Sequence, residues 1–158
     1  MKKITILKPN EIFVFGSNLN GNHSAGAAKN ALQWGAVQGI GEGLQGQTYA
    51  FPTLDKKMRQ FSFSSLEKYR DNFFECVNKN TDKAFLLTKV GCGIAVYDEK
   101  TMKKLFWCSP VNVVLPEGWR LLWKSLKKGI ISDKKYFKWE IGKWYKEDKI
   151  KLCENGFH

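Results

Sequence analysis

The chain has 158 residues, of which 43% are hydrophobic and 14% aromatic, and it carries a formal net charge of +11. That length gives one ordinary domain with room for a small appendage, and that apolar content excludes a disordered chain. No run of eighteen apolar residues occurs, so no membrane span is expected, and the apolar part of Met1–Pro9 is too short for a signal peptide. A cytoplasmic protein is therefore expected. The positive charge points to an anionic partner such as a nucleotide, another phosphate-bearing small molecule or nucleic acid; lysines scattered over a solvated face are the plain alternative.

Taken in order, Lys3–Leu7 alternates weakly and reads as a first strand, stopped by Pro9. Ile12–Phe15 is a short apolar run of the kind that forms a buried strand. The chain then passes through Gly16, Gly21 and Gly26 into a helix predicted over Ser24–Trp34, with Ser24 as its cap and Gly35 as its end. Strand, glycine-rich loop and helix start is an arrangement that binds phosphate, because glycines let backbone approach an anion and free N–H groups attract it. A tight strand-to-helix turn lined by small residues is the plain alternative.

Gly35–Gly46 is so dense in glycine that it reads as loop throughout. Gln47–Phe51 is a short strand closed by Pro52-Thr53. Lys56–Phe63 is polar and basic, a surface loop. The next helix opens at Ser64, with Glu67 at capping-box spacing, and runs to about Asn78 with Leu66, Tyr69, Phe73, Phe74 and Val77 as a core-facing stripe. Ala84–Val90 is another buried strand, ending at Gly91-Cys92-Gly93. Asp98 caps a third helix to about Cys108, and Asn112–Leu115 is a further strand.

Alternation of continuous apolar strands with helices calls for a mostly parallel sheet covered on both faces. Ligands of such sheets sit outside the carboxyl ends of the strands. Three loops leave such ends, at 16–26, 52–55 and 91–97, and the first and last are glycine-rich. Together they form a two-sided cradle for a phosphate-containing ligand, with Thr53 contributed by the middle loop.

Cys76, Cys92, Cys108 and Cys153 show no paired spacing and no nearby histidine, so free buried thiols are expected rather than a metal site. Cys92 reads as a small residue in a tight loop and not as a nucleophile, although His23 could meet it in space. Beyond Trp119 the chain turns basic and aromatic: a helix over Arg120–Lys128, a hairpin over Phe137–Tyr145 around Gly142, and a strand over Lys149–Cys153. Mixtures of this kind bind single-stranded nucleic acid or, more plainly, cover a small core.

Four blocks, FGSNLNGNHSAGAAKNAL, GEGLQGQTYAFPT, FLLTKVGCGIAVY and NVVLPEGW, occur in that order over residues 11 to 119. In combination they resemble a family of phage and bacterial proteins related to macro domains. The resemblance implies a three-layer α/β/α domain over residues 1–119, with 120–158 as a short phage-type appendage. It implies an ADP-ribose-like ligand, no cofactor and no metal, with hydrolysis of an ADP-ribosyl derivative as one outcome and sequestration of a nucleotide signal without turnover as another. On the same basis Gly16, Ser17 and Asn18 lie by the distal ribose, and Gly21, His23, Gly26 and Ala27 form the first phosphate loop. Gly91, Cys92, Gly93, Ile94 and Ala95 form the second, and Tyr97 lies near ribose or base. Asn18 and His23 are the catalytic candidates. The aspartate with which macro domains read adenine has no clear equivalent; Asn10 and Glu11 stand nearest.

Overall fold

The chain divides into two units, Met1–Arg120 and Leu121–His158. The computed structural model describes residues 4–119. The helix, hairpin and strand expected beyond Trp119 lie outside the described residues.

Eight regular elements follow one another: β1 (Glu11–Asn18), α1 (Gly26–Ala31, continued by a 3-10 turn over Leu32–Trp34), β2 (Gly43–Gln45), β3 (Thr48–Leu54), α2 (Phe63–Lys79), β4 (Ala84–Leu87), α3 (Glu99–Leu105) and β5 (Val113–Val114). The strands form one mixed sheet in the order β2-β3-β1-β4-β5. β1 runs parallel to both β3 and β4, β4 runs parallel to β5, and only β2 pairs antiparallel, with β3. The protein is thus of the α/β class.

β1 is apolar without interruption because both its faces are covered. Ile12 and Val14 enter a cluster with Phe51, Leu66, Phe73, Phe85, Met102 and Phe106, the side occupied by α2 and α3. Phe13 and Phe15 enter a second cluster with Ala28 and Ala31 of α1. Phe73 of α2 is the hub of the larger cluster, with its ring 4.8 Å from Tyr49 and 5.7 Å from Phe85. Burial of side chains of this size stabilises the domain by about 1.5–3 kcal/mol each.

Several elements depart from the sequence-based expectation. Lys3–Leu7 forms no strand over its described residues. Ile4 and Leu7 pack against the Phe13–Phe15 side without pairing, and Ile6 is exposed. Gly35–Gly46 is not loop throughout, since β2 lies inside it and returns to β3 across a tight turn at Gly46-Gln47. β3 continues past Pro52 to Leu54. β2 covers only Thr48–Ala50, so beyond Ala50 that side of β3 has no ladder to which a proline would owe an N–H.

β4 stops at Leu87 and not at Val90. There Thr88 turns its N–H and its hydroxyl onto the Val14 carbonyl, at 3.0 and 2.9 Å. α1 begins at Gly26 with no side-chain cap, because the residue at the cap position is Ala25, one place after Ser24, and alanine has no side-chain acceptor. α2 is capped by Ser62, whose hydroxyl accepts from the Ser65 N–H, and not by Ser64. Asp98 caps α3 as expected, accepting from the Thr101 N–H at 3.1 Å.

Candidate functional site

The parallel arrangement of β3, β1 and β4 puts their carboxyl ends at one edge of the sheet, with β1 in the middle. The chain leaves that edge three times, after Asn18, after Leu54 and after Leu87. Gly16, Ser17, Asn18 and Thr53 are the last turns of strand and not loop. At the end of the β1–β3 ladder the register slips, so that Ser17 faces Pro52 and Asn18 faces Leu54. The slip frees Thr53, whose hydroxyl donates to the Ser17 carbonyl at 3.0 Å. A Cβ placed on Gly16 would lie 3.3 Å from the Gly91 nitrogen and 3.7 Å from Thr53 Oγ1. Gly91 and Thr53, expected at the site from separate segments, therefore both lie close against Gly16.

The loop after β1 is built by Asn18. Its Oδ1 accepts from the N–H groups of Asn20 and Asn22, at 3.1 and 3.2 Å, while its Nδ2 donates to the Asn22 carbonyl at 3.0 Å. The Asn18 carbonyl accepts from the Gly21 N–H at 2.8 Å, and the Leu19 N–H bonds the Leu54 carbonyl. His23 N–H is taken by Gln38 Oε1 and Ser24 N–H by Asn22. Every backbone donor from Leu19 to Ser24 thus has a partner inside the protein. Donors without one begin at Ala25, where the first four N–H groups feeding α1 have no intrahelical acceptor.

That loop is clamped from outside by the glycine-rich segment after α1. Gly39 donates to the Gly21 carbonyl at 2.9 Å, and a Cβ on Gly21 would fall 2.2 Å from the Ile40 nitrogen. His23 lies beneath this contact, wholly buried, with its ring edge-on to Phe15 at 5.1 Å. Its Nε2 meets the Ile40 carbonyl at 3.1 Å, which makes Nε2 the protonated nitrogen. Nδ1 is buried without a hydrogen-bond partner among the described residues. Both side chains expected to do chemistry, Asn18 and His23, are thus engaged inside the loop they shape.

The loop after β4 is the opposite case. It closes on itself through Tyr97 N–H to the Gly91 carbonyl and Val96 N–H to the Gly93 carbonyl, both 2.9 Å. Between these bonds the N–H groups of Gly93, Ile94 and Ala95 donate to nothing among the described residues. Gly93 and Ile94 are exposed, and a Cβ on Gly93 would meet nothing within 4 Å. Val96 holds φ of 53°, a left-handed conformation that is rare for a β-branched residue, and its side chain is exposed. Successive N–H groups without an acceptor among the described residues, on a turn exposed at Gly93 and Ile94 and buried at Ala95, are donors of the kind that bind an anion.

Tyr97 anchors this loop with its hydroxyl. The oxygen accepts from the Phe61 N–H at 2.6 Å and lies 3.0 Å from the Thr53 carbonyl and 3.1 Å from that of Phe61. Burial pushes its pKa up, against the opposing effect of the Phe61 N–H. Tyr97 therefore fastens the second loop to the β3 exit, with its hydroxyl engaged by backbone.

The β3 exit, whose residues 52–55 were expected to leave a strand end and whose Lys56–Phe63 was expected as surface loop, is a turn joined to both glycine-rich loops. Asp55 Oδ1 accepts from the N–H groups of Lys57 and Arg59, and Oδ2 binds the Arg59 guanidinium at 2.7–2.8 Å. The Arg59 N–H first, then its guanidinium and the Lys57 N–H, hold the Asp55 carboxyl below the ordinary carboxylate range. Asn20 Nδ2 donates to the Lys56 carbonyl on one side. On the other, Gln60 Nε2 donates to the Ala95 carbonyl at 2.5 Å. The sequence signal for this turn was the Asp55–Arg59 spacing, which places opposite charges across a short reversal.

Cys92 is a free thiol, half-buried, with its pKa raised by burial and then by the nearby Glu99 carboxylate. It makes no hydrogen bond to His23, and a thiol so disposed is a poor nucleophile. Cys76 is likewise free and only half-buried. Lys89 is drawn off to Glu99 at 3.1 Å, which also receives the Trp119 indole N–H at 3.0 Å. Among the described residues no three His, Cys, Asp or Glu side chains stand together as a metal site, and no helix is long and apolar enough to cross a membrane.

No family model, curated protein or solved structure matches this chain. What the site does must be argued from its own geometry.

Proposed function

We propose that residues 1–119 form a macro-like α/β/α module that binds a nucleotide of the ADP-ribose type at the carboxyl edge of β3, β1 and β4. One observation carries this reading. The exits of two neighbouring parallel strands, β1 and β4, are both glycine-rich and approach at Gly16 and Gly91, and the N–H groups of Gly93, Ile94 and Ala95 in the β4 exit have no acceptor among the described residues. A diphosphate takes its hydrogen bonds there. Ser17 and Asn18 form the floor between the loops, and Gly21 sets the shape of the first. Cys92 and Ile94 flank the donors of the second.

Binding without turnover is favoured over hydrolysis. A macro-type hydrolysis needs a side chain to orient or deprotonate water beside the ligand. Asn18 has both amide groups engaged within its own loop, and His23 is sealed under it. A protein that sequesters a nucleotide signal, such as one produced in host defence against phage, fits this arrangement. Nucleic-acid binding through residues 120–158 is the other reading, and it rests on the basic, aromatic composition of that segment.

Isothermal titration of the full chain with ADP-ribose tests the binding: saturable heat at sub-millimolar ligand is expected, and none at millimolar ligand refutes it. Ligand recovered unchanged after overnight incubation and denaturation of the complex supports sequestration, whereas a cleaved product reinstates hydrolysis.

A further inference from the structure

The turn after β3 has charges that the nucleotide reading leaves unused. Asp55 is neutralised by Arg59 and uses its other oxygen on the backbone of Lys57 and Arg59. Lys56 and Lys57, by contrast, form no ion pair and no side-chain hydrogen bond among the described residues, and both are exposed. Between them and Arg59 stands Met58, which holds φ of 60°. Four bonds from one carboxylate, together with Asp55 N–H to the Arg59 carbonyl at 2.9 Å, maintain that strained conformation. A loop that needed only to connect β3 to α2 has no use for a left-handed methionine under such restraint.

The turn is also fixed in place. Its Lys56 carbonyl is held by Asn20 of the first loop, and its far end is held by Gln60 on Ala95 and by Phe61 on Tyr97 of the second. It forms the third side of the edge at which the proposed diphosphate sits. Building on that reading, we propose that Lys56 and Lys57 bind a further phosphate of the ligand, outside the diphosphate taken by the backbone donors. Lysine suits this role as a mobile point charge that needs no fixed geometry, whereas the paired Arg59 serves the shape of the turn. The shared chemistry is a phosphate ester beyond a diphosphate; it belongs to a small nucleotide with an additional phosphomonoester or to the adjoining phosphodiester of a nucleic-acid end.

The test compares the full chain with its Lys56→Gln/Lys57→Gln double variant by isothermal titration against three probes. These are ADP-ribose, ADP-ribose carrying a 2′-phosphate, and a 5′-phosphorylated tetra-deoxyadenylate. Circular dichroism and urea midpoints verify that the variant is folded, and both positions are exposed enough to leave stability unchanged. About tenfold weaker binding of at least one phosphate-bearing probe is expected, with ADP-ribose affinity unchanged within about twofold. Which probe responds distinguishes the small nucleotide from the nucleic-acid end. Equal losses on all probes, no loss on any, or no binding of the phosphate-bearing probes by the unsubstituted chain overturns the inference. Lysine-dependent binding of a phosphate-bearing probe with no binding of ADP-ribose upholds the inference while refuting the ADP-ribose reading.

Discussion

The docking of one glycine-rich segment onto another can be broken with a single methyl group. A Cβ at Gly41 would stand 2.0 Å from the Asn18 carbonyl oxygen, 2.9 Å from its carbon and 3.0 Å from the Leu19 Cα. All three are backbone atoms, so no side chain can swing aside, and Gly41→Ala must push residues 39–41 off the loop that follows β1. That separation breaks Gly39 N–H to Gly21, at 2.9 Å, and His23 Nε2 to Ile40, at 3.1 Å. Each bond contributes about 1 kcal/mol, and a fully buried imidazole N–H left without an acceptor adds about 1–3 kcal/mol. The expected cost is therefore about 3–5 kcal/mol, a large share of the ~5–15 kcal/mol by which a domain is stable. Gly93→Ala is the control, because a Cβ there meets nothing within 4 Å and its cost should be about 0.5 kcal/mol or less. Urea denaturation followed by far-UV circular dichroism gives both values. A Gly41→Ala midpoint within experimental error of the Gly93→Ala midpoint refutes the docking argument.

Tyr97→Phe removes the hydroxyl shared by Thr53 and Phe61, strands the Phe61 N–H, and should cost about 1–3 kcal/mol in the same denaturation experiment. Val96→Gly should stabilise the fold by about 1 kcal/mol, since relief of left-handed strain outweighs the greater chain entropy of glycine; a lower urea midpoint would contradict it. The Asp55 carboxyl is held below its ordinary value of 3.8, so its bonds favour the ordered turn above that value and are lost as pH falls through the lower folded one. The Lys57 and Arg59 amide resonances should report a midpoint below 3.8, and one at or above 3.8 removes the proposed role of the carboxylate.

Buried strands were readable because their cause is local. Ile12–Phe15 and Ala84–Leu87 are apolar on both faces, and only a covered sheet makes that tolerable. Helix ends were less readable, because several Ser and Asn residues compete as caps within a few positions. Ser62 prevails over Ser64 at α2, and α1 starts one residue later than Ser24 allows, so its cap position falls on Ala25. β2 was hidden because glycine at positions 43 and 46 signals flexibility when read alone, whereas it permits a tight hairpin once β3 is there to pair with. The brace formed by Gln60 and Tyr97 had no sequence signal, since its bonds span 35 to 44 residues and end on backbone atoms.

The two glycine-rich loops look alike in composition, yet their glycines serve opposite ends. After β1, the side-chain oxygens of Asn18 and Asn22 accept from the loop's own N–H groups while Asn20 ties the loop to the Lys56 carbonyl; Gly21 is there so that a second backbone can press against it. After β4, no side chain between Gly91 and Tyr97 can accept a hydrogen bond except the Cys92 sulfur, so the donors of residues 93–95 stay open. Glycine content alone therefore does not mark an anion site; the polar side chains among the glycines decide whether the backbone is already satisfied. A rigid loop with closed donors beside a second loop with open ones provides a fixed wall facing a receptive one. The proposed anion would take its hydrogen bonds chiefly on the β4 side, where the N–H groups of Gly93, Ile94 and the buried Ala95 have no acceptor among the described residues.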